Sequence, residues 1–254
     1  MTAFGDFAAI ADDDGRAALV TIVEGGDVGA KLLVRADGGT SGGLGDAGLD
    51  SAAVEAAEEL MWAERSELRK VGDVALFVDV TAPAPRLVIF GAVDYAAALC
   101  RLARAAGWRP FVCDPRSQFA TPQRFPEAEE VLAEWPEQAF ARLGEIDRAT
   151  YIAVLTHDPK LDDAALEIAL RSEAPYVGAM GSRRAQAQRR ERLLAAGLDE
   201  ELLARIAAPI GLDLGAVTPE ETALSIMSEV VAVRNGRDGG RLSSAAGRIH
   251  EVGA

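Results

Sequence analysis

The chain has 254 residues, of which 49% are apolar and 26% charged, and a net charge of −14. That length builds one large or two modest domains with real cores, and the acidic balance argues against a general nucleic-acid or anionic-membrane surface, each of which calls for basic patches. Two cysteines, Cys100 and Cys113, make no disulfide framework and fit a reducing compartment; two histidines, His157 and His250, leave little material for a zinc site, and no CxxC, HExxH or Walker A lysine pattern occurs.

Residues 1–15 are acidic and weakly patterned, with a short helix expected over 4–11. Residues 17–23 (AALVTIV) and 30–35 (AKLLVR) read as strands, and Asp37-Gly38 is a hairpin turn signal. Six glycines fall in residues 38–48, which suggests close approach to another group or plain mobility. Asp50 or Ser51 is the expected cap of a helix reaching about Arg65, and residues 74–80 (VALFVDV) form a further strand. The stiff Ala82-Pro83-Ala84-Pro85 segment marks a domain boundary. The expected division is a small α+β N-terminal domain over 1–82, a Rossmann-like domain over 86–234 and a flexible tail over 235–254.

The second domain opens with the stretch that organises it. Residues 86–90 (RLVIF) are a short apolar run, Gly91 turns, and a helical pattern carries Tyr95, Leu99, Leu102 and Ala106 on one face before Gly107 stops it. A second apolar run then ends at Asp114, completing a βαβ unit. Residues 128–135 read as a short strand or helical turn, and Pro136 starts a helix. A β-branched strand over 150–155 ends at Thr156-His157-Asp158. A helix over 161–170, a last buried strand over 176–180 and an arginine-rich helix over 182–196 follow. Residues 209–215 are a loop, and Thr218-Pro219-Glu220-Glu221 opens a helix with a capping box. This alternation specifies a doubly wound α/β fold with a parallel sheet. Neither a signal peptide nor a membrane span is visible, so the cytoplasm is the expected compartment.

In such sheets ligands bind beyond the carboxyl ends of the strands, which brings three places forward. The turn Gly91-Ala92-Val93-Asp94-Tyr95-Ala96 resembles a dinucleotide fingerprint, with Asp114 placed for a ribose hydroxyl. Val93 stands where that fingerprint needs glycine, so an NAD(P) site is weakened and a Rossmann scaffold without one is the competing reading. Gly181-Ser182-Arg183-Arg184 joins a strand end to a helix N-terminus, where free N–H groups, a hydroxyl and guanidinium groups suit a phosphate; the plain alternative is a solvated basic helix. His157 suits a proton donor, a base or a hydrogen-bond anchor, and Asp158 is equally a helix cap.

These segments together carry a family resemblance. Asp114-Pro115-Arg116, Thr156-His157-Asp158, Tyr176 to Arg184 (YVGAMGSRR), Pro209-Ile210-Gly211-Leu212-Asp213 and Thr218 to Glu229 resemble the XdhC/CoxI family over residues 86–234, with a fainter likeness over 17–80. Two stretches depart from its usual pattern: Gly91-Ala92-Val93-Asp94 replaces Gly-x-Gly-His, and the region near Gly48 lacks a cysteine. The resemblance implies a non-catalytic accessory protein that binds the molybdenum cofactor, as molybdopterin or its dinucleotide form. Such a protein assists the maturation of the cofactor and its insertion into a xanthine dehydrogenase or carbon monoxide dehydrogenase type apo-enzyme. It further implies a homodimer and a cysteine desulfurase as a second partner. The cofactor-contacting positions would be Gly91, Asp114, Arg116, His157, Asp158, Gly181, Ser182, Arg183 and Arg184, with no catalytic or metal-ligating residue. The alternatives are an NAD(P)-binding oxidoreductase and a ligand-free adaptor.

Overall fold

A computed structural model describes residues 2–244. Its contacts divide the chain into two compact units, one built on residues up to Pro83 and the other on Ala84–Arg241. Of the expected tail, residues 245–254 lie outside the described residues, and Leu242–Ser244 form one 3-10 turn. No helix among the described residues is long and apolar enough to cross a membrane.

The first unit runs α1 (Ala3–Asp12), β1 (Ala17–Glu24), β2 (Lys31–Arg35), β3 (Thr40–Gly43), α2 (Ala47–Trp62), β4 (Glu67–Val71) and β5 (Val74–Thr81). Its strands form an antiparallel sheet in the order β3-β2-β1-β5-β4. Side chains alternate across a strand, so Ala18, Val20 and Ile22 of β1 meet α2, while Ala17 and Leu19 meet Phe7 of α1. With helices on both faces, the central strand reads as one apolar run.

Two strands of this unit were not expected, and one expected cap is corrected. The glycine-rich stretch contains a strand, β3, paired with β2; β4 carries too many charges to be recognised from its sequence, because it is an edge. The cap of α2 is Asp46, whose carboxylate accepts the Leu49 N–H at 2.9 Å, and Asp50 instead accepts the Leu44 N–H at 2.7 Å from within the helix. Asp46→Ala should therefore lower stability by about 1 kcal/mol, the usual worth of such a cap; an unchanged urea midpoint would show that the cap contributes nothing.

The second unit contains β6 (Arg86–Phe90), α3 (Asp94–Ala105), β7 (Arg109–Cys113), β8 (Glu130–Leu132), α4 (Pro136–Leu143), β9 (Thr150–Val154), α5 (Pro159–Leu170), β10 (Tyr176–Ala179), α6 (Arg183–Ala195), α7 (Glu200–Ala204), β11 (Ile206–Ala207) and α8 (Pro219–Arg234). All six strands are parallel, in the order β11-β10-β9-β6-β7-β8. The chain winds outward from β6 to β8, returns to β9 beside β6, and winds outward again. Leu87 and Ile89 face α3 and α8, whereas Val88 and Phe90 face α4, α5 and α6. The fold is thus mixed α/β, with the expected doubly wound sheet. Strand β11 was not expected after β10, and α3 buries Ala96, Leu99, Cys100 and Ala103 rather than Tyr95 and Ala106. The capping box of α8 is formed as its sequence requires.

Candidate functional site

The reversal point lies between β6 and β9, where strand ends open a crevice in folds of this kind. Gly91 follows β6 at φ 113°, and a Cβ there would stand 3.0 Å from Thr156 Cγ2 and 3.2 Å from the Thr156 backbone nitrogen. Glycine is therefore required by close approach to β9's end. Val93 begins α3 without a side-chain cap and packs, half-buried, against the α3–α8 core.

What occupies the turn is a side chain from the next strand. Asp114 is fully buried. Its Oδ2 accepts the Ala92 N–H at 2.8 Å and Arg116 Nη2 at 2.7 Å; its Oδ1 accepts the Arg116 N–H and Nε, both at 2.9 Å. A carboxylate has about four acceptor sites, and all four are in use. Burial works to raise the Asp114 carboxyl, but the bonds from Arg116 and Ala92 together hold it below the ordinary carboxylate range. Arg116 lies over the Phe119 ring at 5.0 Å, and Arg124 donates to the Ala92 carbonyl at 3.0 Å and to Asp94 at 3.2 Å.

The neighbouring half of the rim is built from the ends of β9 and β10. Asp158 caps α5 by accepting the Lys160 N–H at 3.0 Å, and Thr156 Oγ1 accepts the Asp158 N–H at 2.9 Å. His157, between them, is exposed and makes no hydrogen bond among the described residues. Across from it, Ser182 caps α6 by accepting the Ala185 N–H at 3.3 Å. Arg183 and Arg184 are exposed at the first two helical positions and form no ion pair among the described residues. Farther along the same helix the arginines are engaged: Arg190 with Glu200, Arg192 with Asp163. A helix start with unused N–H groups and two free guanidiniums can hold a phosphate.

Beneath this rim runs a buried network that the residue pattern did not reveal. Asp162, on the inner face of α5, accepts Thr156 Oγ1 at 2.9 Å and Arg189 Nη2 at 2.9 Å. Arg189 also donates to the Met180 carbonyl at 3.0 Å and to Gln186, which in turn donates to the carbonyls of Ala179 and Gly181 at 3.3 Å. The available signal was the spacing of Gln186, Arg189 and Leu193, which share one face of the arginine-rich helix.

The 209–215 loop lies beyond the same strand ends. Glu229 of α8 accepts the Tyr176 hydroxyl at 2.5 Å and the Gly211 N–H at 2.8 Å. Burial, reinforced by the Glu229 charge, pushes the Tyr176 phenol well above its usual range. Cys100 and Cys113 are buried; burial raises the Cys100 thiol to about 12 and the Cys113 thiol further still, so neither offers a thiolate nucleophile. No group of three or more metal-ligating side chains occurs among the described residues. The structure thus gathers Gly91, Asp114 and Arg116 on one half of the rim and His157, Asp158 and Gly181 to Arg184 on the other. Among the surface depressions are one of about 590 Å³ among α4, α5 and α6, lined by Pro159 and Lys160 next to Asp158, and one of about 260 Å³ between α3 and α8. Convergent polar groups single out the rim.

Comparison with known proteins bears on the fold and the family. Residues 87–230 match the model of the XdhC Rossmann domain, and residues 10–72 that of the XdhC and CoxI family. The chain is 27% identical over 226 residues to the uncharacterized protein YqeB of Escherichia coli, covering 83% of this chain and 41% of that protein. It is 30% identical over 159 residues to a protein of Bacillus subtilis named as a probable subunit of xanthine dehydrogenase, covering 63% and 46%. It is also 30% identical over 152 residues to the molybdenum cofactor insertion chaperone PaoD of E. coli, covering 60% and 41%. The chain therefore spans less than half the length of each of these relatives. A crystal structure described as a xanthine dehydrogenase from Bacillus halodurans has the same fold, with a TM-score of 0.54 at 18% identity over 97% of this chain and 98% of that one. More than half of the chain matches the Rossmann-domain model, and a second stretch matches the family's N-terminal model: the protein belongs to the XdhC/CoxI family.

Proposed function

We propose that this protein binds the molybdenum cofactor at the β9–β10 rim and delivers it to an apo-molybdoenzyme of the molybdenum hydroxylase type. The observation that carries the reading is the pair Arg183 and Arg184, free of ion pairs among the described residues, on the N-terminus of α6 beside the sheet reversal. A pterin cofactor ends in a phosphate or a diphosphate, and such a group suits this donor set. His157 and Asp158 would line the mouth. The relatives support the same reading, since one is named a molybdenum cofactor insertion chaperone and another a probable part of a xanthine dehydrogenase. A second copy of the chain and a cysteine desulfurase are partners that the family suggests.

The test is to purify the protein from a molybdopterin-producing host, oxidise it with iodine and measure pterin fluorescence. A stoichiometric signal is expected, with Arg183→Ala/Arg184→Ala weakening cofactor binding about 10- to 100-fold, as the loss of charged hydrogen bonds does. Unchanged affinity in that variant would remove the site assignment. No signal, even after incubation with released cofactor, would favour a ligand-free adaptor.

The rival reading, an NAD(P)-dependent oxidoreductase, rests on Gly91 and Asp114. The geometry disfavours it, because the Asp114 oxygens already accept four N–H bonds and leave nothing for a ribose diol. A saturable NADH fluorescence titration would reinstate it.

A further inference from the structure

Asp162 and Arg189 are each only 3% exposed, and their ion pair is made in the interior of the second unit. Burying two charges costs several kcal/mol of desolvation each, so such pairs add little net stability over an apolar pair of similar size. This one is also incomplete: Arg189 Nε is buried without an acceptor among the described residues. A partly satisfied buried network is a poor device for holding a domain together. It is a good device for fixing a geometry, because its bonds are directional and have few alternatives in a dry interior.

The bonds converge on turns, not on the middles of the helices. Through Thr156, Asp162 fixes the β9 turn, since the same hydroxyl that donates to Asp162 accepts the Asp158 N–H. Through Met180, Gln186 and the carbonyls of Ala179 and Gly181, Arg189 fixes the β10 turn that leads into Ser182. Thr156 is also the residue against which Gly91 packs. One connected set of side chains therefore touches all three strand-end turns around the reversal point.

We propose that the Asp162–Arg189 pair is a positioning device, which sets the Gly181 to Arg184 turn against the Thr156 to Asp158 turn so that both can engage one phosphate-bearing ligand. The proposal rests on the carrier reading above. Neither residue touches the ligand; both act through Thr156 and the β10 carbonyls.

The test uses the full chain and molybdopterin cofactor released from a molybdoenzyme, with affinity corrected for the folded fraction seen by circular dichroism. Thr156→Val keeps the shape of the side chain and removes both hydroxyl bonds; Asp162→Asn with Arg189→Gln removes the charges and keeps polar groups in place. Each is expected to weaken binding about tenfold or more, the scale of a lost charge-assisted bond, while Thr156→Ser restores near-native affinity. A merely structural role would not separate serine from valine in this way. The proposal is overturned if Thr156→Val and the paired variant bind like the native protein while Arg183→Ala/Arg184→Ala does not; the carrier reading would survive that result. If the native protein binds no cofactor, or the Arg183/Arg184 variant binds normally, the site assignment falls and this inference falls with it.

Discussion

Arg189→Ala is expected to destabilise the protein by about 3–5 kcal/mol at neutral pH, the range seen when one partner of a buried ion pair is removed. The loss arises because Asp162, inaccessible on the inner face of α5, is left as an uncompensated carboxylate, and because the Met180 carbonyl and Gln186 lose a donor. In the native chain burial already raises the Asp162 carboxyl, against the lowering effect of Arg189 and Thr156. Without Arg189 that burial is less opposed, and the folded state holds its proton to higher pH. A carboxyl raised on folding binds more protons folded than unfolded, so stability falls as pH rises from its unfolded value of about 4. The deficit of Arg189→Ala should therefore be smallest in acid and grow toward neutrality. Urea unfolding at pH 4 and pH 7 measures it, and a deficit equal at both would show that Asp162 is not the group left exposed to the cost.

Asp114→Ala should also show a deficit that shrinks in acid, but from the opposite kind of carboxyl, with a loss of about 2–3 kcal/mol at pH 7. That figure is kept below the fully buried case because the Arg116 side chain is half-exposed. The folded Asp114 carboxyl is held below its ordinary value. It thus contributes stability that is complete above the unfolded value near 4 and disappears as pH falls through the lower, folded one. Native and variant curves should converge in strong acid. A gap that persists undiminished at pH 2 would mean that the charge of Asp114 is irrelevant and only its packing counts. The Ala92 N–H, left without its acceptor, should meanwhile exchange faster with solvent.

Periodicity was a good guide to the doubly wound plan of the second unit, where short apolar runs alternate with amphipathic helices and leave few competing topologies. It failed where pairing rather than composition makes the strand. Gly42 illustrates this: a Cβ there would stand 2.3 Å from the Lys31 carbonyl oxygen, so the close approach suggested by the glycines is to the adjacent strand β2. Strand β11, two residues long, is defined only by its ladder with β10. At the candidate site, the placement of the rim residues at strand ends was legible, because the strand–helix alternation fixes where each strand stops. The network under them was not, since Asp162 and Arg189 look like surface charges until tertiary packing turns them inward. Asp114 was legible as a strand-end acid, but its engagement by Arg116 depends on a side-chain conformation that spacing does not encode.

The single carboxylate of Glu229 has a consequence for how this chain comes to be folded as it is made. Tyr176 and Gly211 both wait for an acceptor that lies near the end of α8, 53 residues after Tyr176. In a chain emerging in order, β6 through β10 precede α8, so the phenol at the start of β10 exchanges water for its native acceptor only after α8 has cleared the ribosome. The parallel sheet can be paired early, but the loop over its β10 end closes only once α8 is available. Any ligand that needs that loop in place would then be admitted only by a completed Rossmann-like unit.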